Sequence, residues 1–252
     1  NQFIDNNKSY DLILCSDFLN LPVFKSYCNH NLKNTPMVMY FHENQLSYPW
    51  SPEDKDIYLK RDLHYHYINY TSSLIADYNL FNSKYHMSSY FTSLEKYLKK
   101  MPDFNNFESI DDIKNKSDIL YIGCDLKKFD AHQRSKSNDI PLILWNHRWE
   151  FDKNPNTFFK TLYKIKEEKI PFKLAVLGER FKDYPKIFDE AKIILKDNIV
   201  HFGFCESFKE YAKWLNRADI LPVTSNQDFF GISIIEAVYA NTFPLLPNRL
   251  SY

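Results

Sequence analysis

Short apolar runs of strand length alternate along the chain with stretches in which apolar residues recur every three or four positions. In the first half the runs are residues 11–15 (DLILC), 37–41 (MVMYF), 73–76 with Leu80 and Phe81, and 119–122 (ILYI). Residues 85–99 place Met87, Tyr90, Phe91, Leu94 and Leu98 at helical spacing, which predicts an amphipathic helix there. Residues 130–139 (DAHQRSKSND) lose all periodicity and read as a linker. A second series follows. Residues 142–145 (LILW) predict a strand, and Asn154-Pro155 supplies a cap and a first-turn proline for a helix with Phe158, Phe159, Leu162 and Ile165 on one face. Residues 172–177 (FKLAVL) predict a strand ending at Gly178. Ser207 and Glu210 have capping-box spacing ahead of a helix presenting Phe208, Tyr211, Ala212 and Leu215. Residues 220–224 predict a strand that Pro222 assigns to an edge or a bulge. Residues 232–239 predict a helix containing Glu236, and residues 243–246 a last strand. Strands alternating with helices predict an α/β protein with parallel sheets, in two units spanning residues 1–138 and 139–252.

Composition narrows the classes without changing that fold. With 252 residues, 44% hydrophobic and 25% charged, the chain suits a globular protein with more than one core. Its 32 basic and 32 acidic residues cancel, so no bulk positive field announces nucleic-acid binding. Lysines 96, 99, 100, 114, 116, 127 and 128 are the local candidates for contacting a phosphate backbone or for a solvated face. Cys15, Cys28, Cys124 and Cys205 show no C-x-x-C spacing and read as reduced thiols of a cytoplasmic protein. Neither a membrane span nor a signal-peptide layout from Asn1 is evident. Only 4 glycines are present, with no G-x-G-x-x-G and no P-loop, which argues against kinases, P-loop NTPases and simple dinucleotide dehydrogenases. His64 and His66 are two apart on a predicted helix, a spacing that points the rings away from each other, so no metal site is expected.

Three segments carry chemistry. His42, Glu43, Asn44 and Gln45 follow an apolar strand directly, and ligands in open α/β sheets sit beyond the carboxyl ends of strands. Either an imidazole holds or exchanges a proton with a ligand there, or these residues simply cap a turn. In residues 145–155 (WNHRWEFDKNP), Arg148 offers a planar fork and Lys153 a point charge beside a helix start, together able to hold a diphosphate without glycines. The other reading pairs Arg148 with Glu150 or Asp152 on a solvated loop. In residues 228–236 (DFFGISIIE), seven residues separate Asp228 from Glu236, and Gly231 permits close backbone approach to a ligand. The apolar neighbours of Glu236 imply a partly buried carboxylate that needs a partner.

The order of His42, Arg148, Lys153, Asp228 and Glu236, with Phe81-Asn82-Ser83 and residues 123–129 (GCDLKKF), resembles glycosyltransferase family 4. Residues 40–49 (YFHENQLSYP), 145–155, 176–181 (VLGERF) and 228–240 resemble in particular the branch that transfers mannose from GDP-mannose to queuosine in an aspartate tRNA anticodon. The resemblance implies a GT-B fold, two Rossmann-like domains facing a cleft. Residues 1–138 would be the acceptor side and residues 139–252 the nucleotide-sugar side, with residues 123–129 a first-domain segment. It further implies a retaining transferase needing no cofactor, no metal and no obligate protein partner. Arg148 and Lys153 would neutralise the donor diphosphate, Glu236 hold the ribose with Gly231 close by, and Asp228 contact the sugar. His42 would line the reaction centre, with Glu43, Asn44 and Gln45 toward the acceptor. Asp228 stands where that family carries Glu, and the family's glycine-containing first strand and closing C-terminal segment have no counterpart between Asn1 and Tyr252. The other readings are a lipid or glycan acceptor and a non-catalytic nucleotide-sugar-binding module.

Overall fold

The computed structural model describes residues 9–28, 32–50, 63–132, 138–179 and 184–252, and in it the apolar runs become parallel strands. In the first unit β1 (Ile13–Ser16), β2 (Met37–Phe41), β3 (Tyr78–Phe81) and β4 (Ser117–Ile119) pair in that order, all parallel. Helices α1 (Leu21–Tyr27), α2 (Leu63–Ile75), α3 (Lys84–Leu98) and α4 (Glu108–Asn115) fill the crossovers. Met37, Met39 and Phe41 of β2 are fully buried, as an interior parallel strand requires. Helix α3 starts where Ser83 accepts a hydrogen bond from the His86 N–H at 3.0 Å, and it buries Tyr90, Leu94 and Leu98. Two expectations shift. Residues 73–75 end α2 instead of starting a strand, and β4 begins at Ser117, ahead of the run at 119–122.

The second unit carries a five-stranded parallel sheet in the order β7-β6-β5-β8-β9: β5 (Leu142–Trp145), β6 (Lys173–Val176), β7 (Ile199–Phe202), β8 (Ile220–Pro222) and β9 (Phe243–Leu245). Its helices are α5 (Pro155–Glu167), α6 (Ile187–Ile194), α7 (Phe208–Arg217) and α8 (Ile232–Tyr239). Asn154 caps α5 from the left-handed region (φ 52°), its side chain accepting from the Thr157 N–H. The face of Phe158, Phe159 and Leu162 packs with Trp145 and Phe188, so much of the aromatic content serves this core. Pro222 does not mark an edge: β8 lies between β5 and β9, and Pro222 ends it beyond the pairing of Ile143 with Ile220. The missing N–H therefore removes no ladder bond from β5. At α7 the Ser207 hydroxyl accepts from the Glu210 N–H as expected, but the Glu210 carboxylate reaches back to the N–H of Glu206 instead of that of the cap.

The boundary between the units falls at Ile122–Gly123, not at residue 138. Phe129 is fully buried in the second core with its ring 4.9 Å from that of Phe208, and Tyr239 donates to Asp130 at 2.8 Å, so residues 123–130 belong to the second unit. Residues 133–137 of the polar stretch lie outside the described residues, as do Arg180 and Phe181 of the 176–181 segment.

Candidate active site

Strand β5 comes first in the second unit and lies at the middle of its sheet, with β6 and β7 added on one side and β8 and β9 on the other. The crevice beyond its carboxyl end is therefore a topological switch point, where open α/β sheets bind ligands. Residues 146–153 leave β5 at this point and residues 223–231 leave β8 beside it. The backbone holds the two together: Asn226 N–H donates to Asp152 O at 2.7 Å, and the Thr224 hydroxyl to Lys153 O at 2.9 Å.

Lys153 is drawn into this crevice. Its ammonium donates to Gln227 O at 2.9 Å and lies 3.2 Å from Asp152 Oδ2 and 3.6 Å from Asp228 Oδ2, and its side chain is only 12% exposed. The Tyr252 hydroxyl donates to the same Asp228 oxygen at 3.1 Å. Lys153 and Asp228, far apart in sequence, are thus brought together. Arg148 is not part of this cluster: its guanidinium, 52% exposed, pairs with Glu150 at 3.1 Å. Burial raises the Glu150 pKa while Arg148 pulls it down. Gly231 adopts φ +86° and caps the start of α8, where an added Cβ would lie 3.8 Å from Asp228 Oδ2.

Glu236, on α8, has the partners that its apolar neighbours demanded. Tyr211 donates to Oε2 at 2.8 Å and Lys128 lies 3.3 Å from Oε1 with its ammonium 4.7 Å over the Phe208 ring. Burial, followed by the charge of Glu236, pushes the Tyr211 pKa far up, so the phenol remains a donor. Lys128 belongs to the 123–129 segment, which the resemblance assigns to the first domain and the fold assigns to the second unit. Its signal in the sequence was the GCDLKKF segment itself. Several of the other candidate lysines have structural partners: Lys116 caps the end of α2 through Leu74 O and Ala76 O, Lys99 pairs with Glu95, and Lys114 with Asp111.

His147 escaped the reading of single residues. It is buried, its Nδ1 lies 3.1 Å from the Ser233 hydroxyl, and its Nε2 makes no hydrogen bond among the described residues. Burial, then the Lys153 charge, drives its pKa down to about 4, with Asp228 acting in the opposite sense. The imidazole is therefore neutral near pH 7, a hydrogen-bonding group beside a lysine and a carboxylate. Asn146 ties the same strand end to α8 by donating to Ser233 O at 2.7 Å.

In the first unit the ends of three adjacent strands converge on His42. Its backbone N–H donates to Asp17 Oδ1 at 3.1 Å, its Nδ1 lies 3.5 Å from that oxygen, and its carbonyl accepts from Asn82 Nδ2 at 2.7 Å. The His42 ring is 60% exposed while Asp17 is 2% exposed, an outward imidazole backed by a buried carboxylate whose pKa burial raises. Asn82 also meets Nδ1 of the buried His86 at 2.8 Å, and burial, aided by His42, lowers the His86 pKa to about 3. Glu43 accepts from Gln45 Nε2 at 3.0 Å. Asn44 departs from its expected acceptor-side position: it is fully buried, and its Oδ1 accepts from the Ser47 N–H and hydroxyl, building the turn. Asp17 and Asn69, which receives the Gln45 N–H, had no local signature, because their role exists only once strands pair.

His86 and His147 together predict an acid-side loss of stability. Between their lowered values, about 3 and about 4, and the ordinary 6.5, the unfolded chain binds protons that the folded chain refuses. Stability therefore rises with pH across that window, by about 1.4 kcal/mol per pH unit for each histidine, and levels off above it. Urea denaturation from pH 4 to 7 measures this slope, and His147→Gln should remove one histidine's share.

Comparison with known proteins places this geometry. Residues 1–124 match the family model described as tRNA-queuosine alpha-mannosyltransferase N-terminal, and residues 127–250 that of glycosyl transferases group 1. The whole chain is 29% identical, over 259 residues, to the tRNA-queuosine alpha-mannosyltransferase of Drosophila melanogaster, covering 67% of it. Among solved structures, Anabaena HepE in complex with UDP matches with a TM-score of 0.59 at 14% identity, over 96% of this chain and 61% of that one. Sucrose-phosphate synthase from Thermosynechococcus elongatus matches with a TM-score of 0.64 at 15% identity, over 93% and 55%. The chain thus spans about two thirds of its curated relative and less of these solved structures. At such identities the structural matches establish the fold, which is GT-B. With adjoining family models over its two halves and a curated relative along its entire length, the chain is a glycosyltransferase similar throughout to the tRNA-queuosine α-mannosyltransferases.

Proposed function

We propose that the protein transfers mannose from GDP-mannose to queuosine in an aspartate tRNA anticodon, with retention at the anomeric carbon. The observation that carries the donor half of this reading is Lys153, a mostly buried ammonium held beside Asp228 at the switch point of the second sheet. The N-terminal family model supports the acceptor half. As the bond between the sugar C1 and the diphosphate breaks, negative charge grows on the leaving group. A cation already desolvated and aimed at that charge stabilises the transition state more than the ground state. Arg148 joins it: a surface pair such as Arg148–Glu150 is worth about 1 kcal/mol or less, so a diphosphate displaces it. No metal or cofactor is invoked at the diphosphate.

In this reading Glu236 holds the ribose hydroxyls, its carboxylate fixed by Tyr211 and Lys128. Asp228 contacts the sugar hydroxyls, and Gly231 lets the backbone approach. The acceptor hydroxyl oxygen bonds to C1 on the face the diphosphate leaves, and its proton passes to a diphosphate oxygen and departs with GDP. His42, backed by Asp17, positions groups at the reaction centre, and Glu43 and Gln45 face the acceptor. A cytoplasmic site of action fits four cysteines of which none forms a disulfide, and no helix among the described residues is long and apolar enough to cross a membrane.

The test is mass spectrometry of queuosine nucleosides from tRNA incubated with the full-length protein and GDP-mannose. A hexose-sized gain confined to queuosine is expected. Binding of GDP-mannose without any gain would sink the tRNA acceptor and point to a glycan, a lipid or a binding module.

A further inference from the structure

The loop from β7 into α7 gathers three side chains that the transferase reading does not use. His201 is in β7, Cys205 follows that strand, and Glu210 is in the first turn of α7. One potential ligand atom from each lies within 4.8 Å of the other two. Cys205 Sγ is 3.8 Å from His201 Nε2, the nitrogen that would bind, while Glu210 Oε1 is 3.7 Å from the other ring nitrogen, Nδ1, so its carboxylate must swing toward Nε2 to join them. Zinc bonds of about 2.3 Å to sulfur and 2.0 Å to nitrogen, at a tetrahedral angle, place those two ligand atoms about 3.5 Å apart. The pair needs to close by only a few tenths of an ångström. The Gly203 carbonyl oxygen accepts from the Nε2–H at 3.1 Å, a bond given up when an ion takes Nε2 and the ring proton moves to Nδ1.

We propose that His201, Cys205 and Glu210 form a site for a Zn²⁺-class divalent cation, one that no comparison assigns to this chain. Imidazole, thiolate and carboxylate are the donor set of borderline-soft cations and not of Mg²⁺ or Ca²⁺, which take oxygen ligands. The charges balance: a neutral imidazole, a thiolate and a carboxylate meet a dication, and the thiol proton is released to water when the metal–sulfur bond forms. Neighbours hold the side chains near these positions. Glu210 Oε2 is fixed by the Glu206 N–H at 3.1 Å, and the His201 ring rests 5.1 Å from that of Trp214. Cys205 is buried at 8% exposure, and the site leaves Glu210 partly open for ion entry. The cation would staple the β7–α7 loop to the first turn of α7, one residue before Tyr211, which supports Glu236. The site is thus structural, and it stands or falls independently of the transferase reading.

Cobalt titration of the full-length protein, stripped of metal by chelation, provides the test. A thiolate-to-cobalt absorption in the near ultraviolet, with the visible bands of four-coordinate cobalt, is expected, and Zn²⁺ should bleach both. Cys205→Ser should abolish the near-ultraviolet band and Cys124→Ser should keep it. Glu210→Gln retains an acceptor for the Glu206 N–H, so it should leave the metal-free protein's melting temperature unchanged while weakening Co²⁺ binding at least about 10-fold. A folded wild-type protein without the band, or a band that survives Cys205→Ser, overturns the proposal. Should Cys205→Ser not fold, Glu210→Gln decides, and unchanged Co²⁺ affinity in that variant overturns it as well.

Discussion

Lys153→Ala is expected to lower the proposed mannosyl transfer by about 10²–10³-fold, the usual cost of losing a preorganised group that meets transition-state charge, with most of the loss in kcat. The same substitution removes the ammonium from Asp152, which is 1% exposed, and from Asp228 at 15%. Breaking a buried ion pair from one side costs roughly 3–5 kcal/mol, because the remaining charge stays desolvated. Stability and activity should therefore fall together, and a double mutant separates them. Lys153→Ala with Asp152→Asn neutralises the more deeply buried of the two carboxylates and should recover a large part of the stability, as read by urea denaturation, while transfer stays at the level of the single mutant. Full recovery of transfer in that double mutant would show that Lys153 acts through folding and not on the diphosphate.

Gly178→Ala should be among the most destabilising single-methyl additions in the second unit. Gly178 has φ +118°, and a Cβ there would lie 2.0 Å from the His147 carbonyl oxygen and 2.9 Å from its carbon. Those are backbone atoms, tied on either side by Leu177 N–H to Trp145 O at 2.7 Å and Trp149 N–H to Glu179 O at 3.1 Å. The methyl can be accommodated only by separating the ends of β5 and β6. Backbone strain of about 1–3 kcal/mol adds to an overpacking cost of about 1–3 kcal/mol. Gly203→Ala is the control: φ is +134° but no atom lies within 4 Å of the added Cβ, so only the strain applies. Equal losses for the two variants in urea denaturation would remove the clash as a cause. Because the displaced carbonyl belongs to His147, Gly178→Ala should also disturb the loop that carries Arg148 and Lys153.

How legible the site was depended on the range of the interaction. Glu236 could be read as a carboxylate needing partners because Ile235 and Ala237 flank it, but nothing near it in sequence named Tyr211 or Lys128. Arg148 and Lys153 looked equivalent as cations on one segment. The fold drew Lys153 inward against Gln227 and Asp228 and left Arg148 at the surface with Glu150. Asn44 looked like a ligand-facing amide and became a buried turn-builder, since its side chain satisfies Ser47 locally before any ligand is present. The boundary was misplaced for a related reason: a polar stretch marks where the chain is solvated, whereas Phe129 and Asp130 had already joined the second core.

The sequence by itself determined the α/β class, the two parallel units, the starts of α3, α5 and α7 at Ser83, Asn154 and Ser207, and the segments that bear the chemistry. Those follow from apolar periodicity and from caps, both of which act over a few residues. Tertiary structure alone decided that β5 is the centre of its sheet, that Pro222 ends an interior strand, and that Asp17 stands behind His42. It alone also gathered His201, Cys205 and Glu210. Strand order and side-chain convergence are set by which buried faces pack best across the whole unit, a long-range choice to which neighbours in the chain contribute only part of the free energy.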